Sequence, residues 1–184
     1  IPLINKTPGG CFFLCTSHQV MRQVAEVLRR EIGRTVLLQG EDNKQRLLKT
    51  FVENGRAVLV ATSSFWEGID VRGAALSCVI IDKLPFPPPS DPLVQARSRA
   101  LERAGRDPFS EHHLAEAAIS LKQGAGRLIR SETDRGLLVV CDARLAGMNY
   151  GRRLREALPP MTRVANEAEA TAWLETLAGE RAAV

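Results

Sequence analysis

Apolar runs of strand length alternate with helical patterns along most of the chain. Five such runs, at residues 11–15, 36–39, 57–61, 77–82 and 136–142, predict buried strands. Between them, apolar residues recur at the spacing of amphipathic helices. Continuously apolar strands separated by such helices are typical of a parallel sheet that is covered on both faces. The sequence therefore predicts an α/β fold in three layers, with a mainly parallel central sheet.

Capping signals mark where two of the helices begin. Ser17 is a suitable N-cap for a helix whose apolar positions are Val20, Val24, Val27, Leu28 and Ile32. Asp42 and Gln45 have the spacing of a capping box, which predicts a second helix that ends before Gly55.

Two segments depart from this alternation. Residues 83–92 hold half of the chain's 10 prolines and predict an extended, polyproline-like segment, followed by a short helix. We treat residues 83–110 as an excursion of the chain away from the sheet, within a first domain of residues 1–160. Residues 161–184 predict a tail helix that begins near Asn166. Its apolar stripe (Ala170, Trp173, Leu174 and Leu177) has the spacing either of a helix that packs on the domain or of one that docks a partner protein, and both interpretations stay open.

Composition narrows the protein class only slightly. The 25 basic and 21 acidic residues give a net charge of +4, which is compatible with a polyanionic partner but does not require one. No apolar run approaches the ~20 residues of a membrane span, and the first residues lack a signal-peptide layout, so we expect a cytoplasmic protein. The first residue is Ile, which suggests a fragment of a longer chain. All four cysteines lie in apolar runs without a Cys-x-x-Cys pair, which favours buried, reduced thiols over metal ligands.

The clearest chemical signal lies on the predicted helix before the fifth strand. Gln123, Arg127 and Arg130 have the i, i+4, i+7 spacing of one helix face, and apolar residues occupy the opposite face. A guanidinium stays charged and presents a planar fork of donors that suits phosphate oxygens. Gly126 leaves bare backbone beside this face. The alternative is an ordinary solvated helix face.

Polar residues follow the predicted strands. They are Thr16, Gln39, Thr62, Lys83 and Asp142. Because ligands of open parallel sheets bind outside the carboxyl ends of the strands, these residues are further site candidates.

Three motifs carry a resemblance to a known family. Residues 123–130, Gln-Gly-Ala-Gly-Arg-Leu-Ile-Arg, resemble motif VI of the superfamily-two helicases, in the form that this motif takes in the XPD/DinG branch. Residues 61–73, which include Trp-Glu-Gly-Ile-Asp, resemble motif V, and residues 13–17 are similar to motif IV. The three motifs stand in the family's order, and the resemblance covers roughly residues 9–160.

The resemblance implies the second of two RecA-like motor domains in a bacterial DNA helicase. The chain contains no P-loop and no acidic Asp-Glu-x-His box. In this family those motifs belong to the first domain, which shares ATP and Mg²⁺ with the second. A 4Fe–4S cluster is likewise expected only in the absent N-terminal half. We therefore expect this chain to be inactive in isolation.

The resemblance also implies roles for individual residues. Arg127 and Arg130 would contact the γ-phosphate of ATP, and Gln123 would hold the phosphate or the attacking water. Glu67, Gly68 and Asp70 would contact the nucleotide. Contacts to single-stranded DNA are expected from Thr16, Ser17, Gln39, Gly40, Thr62 and Ser63.

Besides DNA and the N-terminal half of the same helicase, the resemblance implies one protein partner, the chi subunit of DNA polymerase III. We place that contact in the tail, on Arg163, Val164, Ala170, Trp173, Leu174 and Leu177, because this region has an apolar stripe and lies outside the motor motifs. The alternative function is mainly that of a protein-interaction module that binds chi and has no activity of its own.

Overall fold

The computed structural model describes residues 1–62, 65, 71, 75–129 and 134–182. In this part of the chain, five parallel strands form one sheet in the order β2-β3-β1-β4-β5. The strands are β1 (Gly10–Cys15), β2 (Val36–Leu38), β3 (Val58–Thr62), β4 (Leu76–Ile81) and β5 (Leu137–Val140). All five predicted strands are present, and the α/β class is confirmed.

The pairing register brings the ends of the strands to one edge. Cys15 at the end of β1 lies opposite Thr62 at the end of β3, and Ile81 at the end of β4 lies opposite Val140 at the end of β5. The residues that follow each strand therefore emerge along a single carboxyl edge, as expected for a parallel sheet.

Helices cover both faces of this sheet. They are α1 (Pro2–Lys6), α2 (His18–Glu31), α3 (Lys44–Asn54), α4 (Pro92–Arg103), α5 (Leu114–Ala125), α6 (Arg144–Gly147), α7 (Gly151–Glu156) and α8 (Glu167–Ala182), with a π-helical turn (Phe109–His113) leading into α5. Phe51 of α3, Leu121 of α5 and Leu154 of α7 are buried on one face. Ile4 of α1 and Leu28 of α2 are buried on the other. Each such side chain contributes about 1.5–3 kcal/mol through burial.

The N-caps of α2 and α3 test the two capping predictions made from the sequence. Ser17 caps α2 as predicted, because its Oγ accepts a hydrogen bond from the Val20 N–H at 3.2 Å. The cap of α3 is Asn43, whose Oδ1 accepts from the Arg46 N–H at 2.9 Å, so the capping box proposed at Asp42 is wrong by one residue. Asp42 instead accepts a hydrogen bond from the Asn43 N–H.

The tail helix packs on the domain. Ala170, Leu174 and Leu177 are 4%, 0% and 2% exposed, and the first two pack with Ile4 beside the sheet. Lys6 Nζ lies 2.7 Å from Glu175 Oε1, which ties α1 to α8. The expectation that these three apolar side chains contact a partner is therefore not met, because they already lie in the core. Val164 and Trp173 are partly buried, and Arg163 is exposed.

Within the described residues, no helix combines the length and the hydrophobicity that a membrane span requires.

Candidate functional site

The carboxyl edge of the sheet is held together by side chains that link neighbouring strands. After β2, Gln39 Oε1 accepts a hydrogen bond from the Thr62 N–H at 2.7 Å and another from the Thr62 hydroxyl at 3.0 Å. Thr62 is only 7% exposed, whereas Gln39 is partly exposed. Gln39 therefore presents a fixed side-chain amide at the edge, with Thr62 buried beneath it.

Gly40 explains how the chain leaves β2 at this point. Its φ is +97°, in the region that side chains disfavour, and no atom lies within 4 Å of the place that a Cβ would occupy. The glycine is thus required by the backbone conformation and not by lack of space. It turns the chain immediately after Gln39, and the Glu41 N–H closes the turn on the Leu38 carbonyl at 3.2 Å.

A second link joins the ends of β1 and β4. Asp82 Oδ1 accepts hydrogen bonds from the N–H groups of Thr16 (3.1 Å) and Lys83 (2.7 Å), and its Oδ2 accepts one from the Thr16 hydroxyl (3.4 Å). Burial raises the pKa of Asp82, although these hydrogen bonds oppose the shift. Thr16 and Ser17 are both exposed at the amino-terminal end of α2, where a helix favours anions.

A third link attaches the proline-rich segment to the end of β5. Asp142 Oδ2 accepts a hydrogen bond from the Leu84 N–H at 2.9 Å. Arg144 donates to both carboxylate oxygens, with Nε 3.0 Å from Oδ1 and a terminal nitrogen 2.7 Å from Oδ2. The Arg144 guanidinium lowers the pKa of Asp142 to about 2 and lies over the Phe86 ring, 5.4 Å from its centroid. Sequence reasoning singled out Asp142 but missed Asp82 and Arg144, although Arg144 stands only two residues after Asp142.

The helix that carries Gln123 ends earlier than predicted. Helix α5 stops at Ala125, and the next residues form a tighter turn in which the Arg127 N–H donates to the Gly124 carbonyl at 3.2 Å. The prediction that one continuous helix carries Gln123 and Arg127 is therefore wrong. Glycines are poor helix formers, so Gly124 and Gly126 favour the early end.

The apolar side of this region is buried as the spacing predicted. Leu114, Ala117, Leu121, Ala125 and Leu128 are at most 3% exposed, and Ala118 is partly buried. Gln123 is exposed, and Arg127 is half-buried. The remaining site candidates, Ser63, Glu67, Gly68, Asp70 and Arg130, lie outside the described residues.

The cysteines differ from the prediction at one position. Cys11, Cys15 and Cys78 are buried, whereas Cys141 is exposed. The neighbouring Cys78 thiol and, second, burial raise the pKa of the Cys11 thiol, and burial raises that of Cys15 to about 12. The thiols of Cys11 and Cys15 therefore stay protonated at neutral pH. Among the residues that the structure describes, no three His, Cys, Asp or Glu side chains are grouped as metal ligands would be.

Comparison with known proteins decides the family. The family described as the helicase C-terminal domain matches residues 1–161. The chain belongs to this family. Among solved structures, an XPD helicase superposes on 86% of this helicase C-terminal domain with a TM-score of 0.65 and 20% identity, which supports the fold alone. The RecA-like architecture expected from the motifs is confirmed.

Curated relatives of this helicase C-terminal domain include YoaA and DinG helicases. It is 54% identical over 173 residues to the ATP-dependent DNA helicase YoaA of Escherichia coli (strain K12), covering 94% of this chain and 27% of that protein. It is 40% identical over 176 residues to the ATP-dependent helicase DinG of Mycobacterium tuberculosis (strain ATCC 25618 / H37Rv), covering 96% of this chain and 26% of that protein. The chain thus spans about a quarter of the length of these relatives. The predicted resemblance to the XPD/DinG branch is confirmed.

Proposed function

We propose that this chain is the second motor domain of an ATP-dependent DNA helicase of the YoaA/DinG kind. The observation that carries the proposal is the placement of two motifs on neighbouring strands. Thr16 of motif IV follows β1, Thr62 of motif V ends β3, and the two strands pair in register at this edge. Links through Asp82 and Gln39 fix both residues in a row of polar groups. Such a row suits a ligand that extends across several strands, as a nucleic-acid backbone does.

The DNA contacts of this proposal come from the carboxyl edge. Thr16, Ser17, Gln39, Gly40 and Ser63 would hold the backbone of single-stranded DNA, and the buried Thr62 would act through Gln39, which it holds in place. Support comes from the exposed hydroxyls at the start of α2, from the fixed amide of Gln39 and from the tight turn at Gly40, which brings backbone to the surface. Because these groups suit phosphate and sugar, we expect binding that tolerates sequence and weakens with salt.

The nucleotide contacts would come from the end of α5 and from motif V. Arg127 and Arg130 would act on the γ-phosphate of ATP with Mg²⁺, Gln123 would hold phosphate or water, and Glu67, Gly68 and Asp70 would contact the nucleotide. The exposed amide of Gln123 and the half-buried guanidinium of Arg127 are groups of the right chemistry. The buried side of α5 anchors Gln123, and the buried Leu128 anchors the turn that carries Arg127. Where arginine fingers have been measured, they contribute ~10³- to 10⁵-fold in rate.

Because the two motor domains would each contribute part of the ATP site, the proposal predicts which protein hydrolyses ATP. The P-loop and acidic box that cradle ATP would lie in the first motor domain, as would the 4Fe–4S cluster. The test is to measure ATP hydrolysis with and without single-stranded DNA for this chain alone and for the full-length protein. We expect hydrolysis that depends on DNA from the full-length protein and none from the chain alone. A full-length protein that does not hydrolyse ATP would overturn the proposal.

We also propose that the chi subunit of DNA polymerase III docks on this domain, on a smaller surface than the sequence predicted. The burial of Ala170, Leu174 and Leu177 leaves Arg163 and the solvent side of α8 to such a partner. A chain that serves mainly as a chi-binding module is the alternative function. A helicase of this kind would act in the cytoplasm, at the nucleoid.

A further inference from the structure

The outer edge of β5 presents backbone groups that the described part of the chain does not pair. Strand β5 stands at the end of the sheet and pairs with β4 on one side. The Cys141 N–H donates to the Ile81 carbonyl at 2.8 Å, so Cys141 and, by alternation, Val139 face β4. Leu138 and Val140 therefore direct their N–H and C=O groups away from the sheet. An open strand edge of this kind is a template for another strand.

A connecting segment passes this edge without pairing with it. Leu154 of α7 is buried on one face of the sheet and Leu174 of α8 on the other, so residues 157–166 must run round the β5 side. Pro159 and Pro160 in this segment have no N–H groups to offer. No backbone hydrogen bond joins the segment to β5 among the described residues.

A groove of about 740 Å³ remains between this segment and β5. Its apolar lining includes Leu138, Val140, Leu145, Leu158, Met161 and Trp173. Arg155 and Arg163 also line it, and Arg163 is exposed. An extended peptide matches all of these features, since its backbone pairs with the strand edge, its apolar side chains fill the groove and its carboxylates meet the arginines. A small molecule would leave the row of backbone groups on β5 unused.

We propose that an extended, partly acidic segment of the full-length helicase, outside these 184 residues, occupies this groove as a sixth strand beside β5. This inference rests on the proposed function, in which the chain is one motor domain of a longer protein. The relatives are about three and a half times as long as the chain, and the family is a C-terminal domain, so such a segment would come before this domain.

Amide hydrogen exchange in the full-length protein tests the pairing without using activity. With fragmentation that resolves single amides, we expect Leu138 and Val140 to be protected to within about tenfold of Val139, which is paired with β4. The proposal is overturned if Val139 is protected and the two outward amides exchange about 100-fold faster or more. This readout needs neither ATP nor DNA, so its failure is distinct from failure of the helicase assignment.

Photo-crosslinking identifies the occupant. A benzophenone amino acid replaces Met161, which is 39% exposed and lines the groove. The matched control carries it at Met148, which is 49% exposed and does not line the groove. We expect position 161, and not 148, to crosslink within one chain to a segment that precedes this domain. Crosslinks from position 161 only to a second copy, to another protein or to residues 157–182 would overturn the proposal.

Discussion

The side-chain oxygen of Gln39 accepts two hydrogen bonds from Thr62, one from its backbone N–H and one from its hydroxyl. These bonds join Gln39, which follows β2, to Thr62 at the end of β3, 23 residues later in the sequence. One uncharged amide thus fixes a buried threonine of motif V and stands at the surface where we propose that DNA binds. We therefore expect substitutions of Gln39 to affect both stability and the proposed DNA binding, and two different substitutions can separate these effects.

Gln39→Ala removes this acceptor from the nearly buried Thr62. We expect the free energy of unfolding to fall by about 1–3 kcal/mol, measured by urea denaturation. Gln39→Glu keeps an acceptor oxygen but adds a negative charge at the edge. We expect it to retain most of the stability and to bind single-stranded DNA at least tenfold more weakly in fluorescence anisotropy. Equal DNA affinity of Gln39→Glu and wild type would argue against DNA at this edge.

The Asp142–Arg144 pair predicts a specific loss of stability in acid. The folded-state pKa of Asp142 is about 2, below the ordinary value of 3.8, so its stabilisation is present above pH 3.8 and disappears as the pH falls towards 2. Arg144 is about half exposed, which limits the effect to about 1–2 kcal/mol. The difference in unfolding free energy between wild type and Asp142→Asn should therefore shrink between pH 5 and pH 2. A difference that is constant with pH would contradict the role of this ion pair.

We predict that the tail helix, α8, stabilises the domain as part of its core. Leu174 is fully buried, so Leu174→Ala should destabilise the domain by about 2–5 kcal/mol in denaturant unfolding. Thr176, on the solvent side of the same helix, provides the control, and Thr176→Ala should change stability by about 0.5 kcal/mol or less. Similar, small effects of both substitutions would mean that α8 does not pack on the sheet in solution.

Chi binding should be tested by a surface substitution, because deletion of residues 161–184 would open the core. Arg163→Glu reverses an exposed charge in the tail, and Arg22→Glu on α2 is a matched control elsewhere on the surface. We expect the first substitution to weaken chi binding at least tenfold in calorimetry and the second to leave it unchanged. Unaltered affinity of Arg163→Glu would remove the tail from the proposed interface.

The sequence was sufficient to predict the sheet because the three inner strands, β1, β3 and β4, are almost wholly buried and all five strands are mainly apolar. All five strands lie within two residues of their predicted bounds. The hydrogen bonds at the carboxyl edge were harder to predict from the sequence, since pairs such as Gln39 with Thr62 and Thr16 with Asp82 depend on how distant strands align. Thr16, Gln39 and Thr62 were identified as candidates from strand ends alone, but their hydrogen-bond partners were not.

Two errors have a common origin in local patterns that allow more than one structure. The i, i+4 spacing of Gln123 and Arg127 is compatible with a helix, but two glycines end α5 between them. The stripe on the tail helix has the same spacing whether it faces a partner or its own domain. Only the contact with α1 and the sheet decides that Ala170 and Leu174 are internal.

The central claim is that Arg127 acts on ATP held by another domain, and Arg127→Ala in the full-length helicase tests it most directly. Lys122→Ala provides the control, since Lys122 is an exposed cation near the end of α5, next to Gln123 and five residues before Arg127. Thermal unfolding of Arg127→Ala, of Lys122→Ala and of the conservative variant Arg127→Lys verifies that the domain stays folded in each. We predict that Arg127→Ala lowers DNA-stimulated ATP hydrolysis by about 10³- to 10⁵-fold with ATP binding retained, and that Lys122→Ala hydrolyses ATP normally. Hydrolysis by a folded Arg127→Ala within about tenfold of wild type would contradict the account.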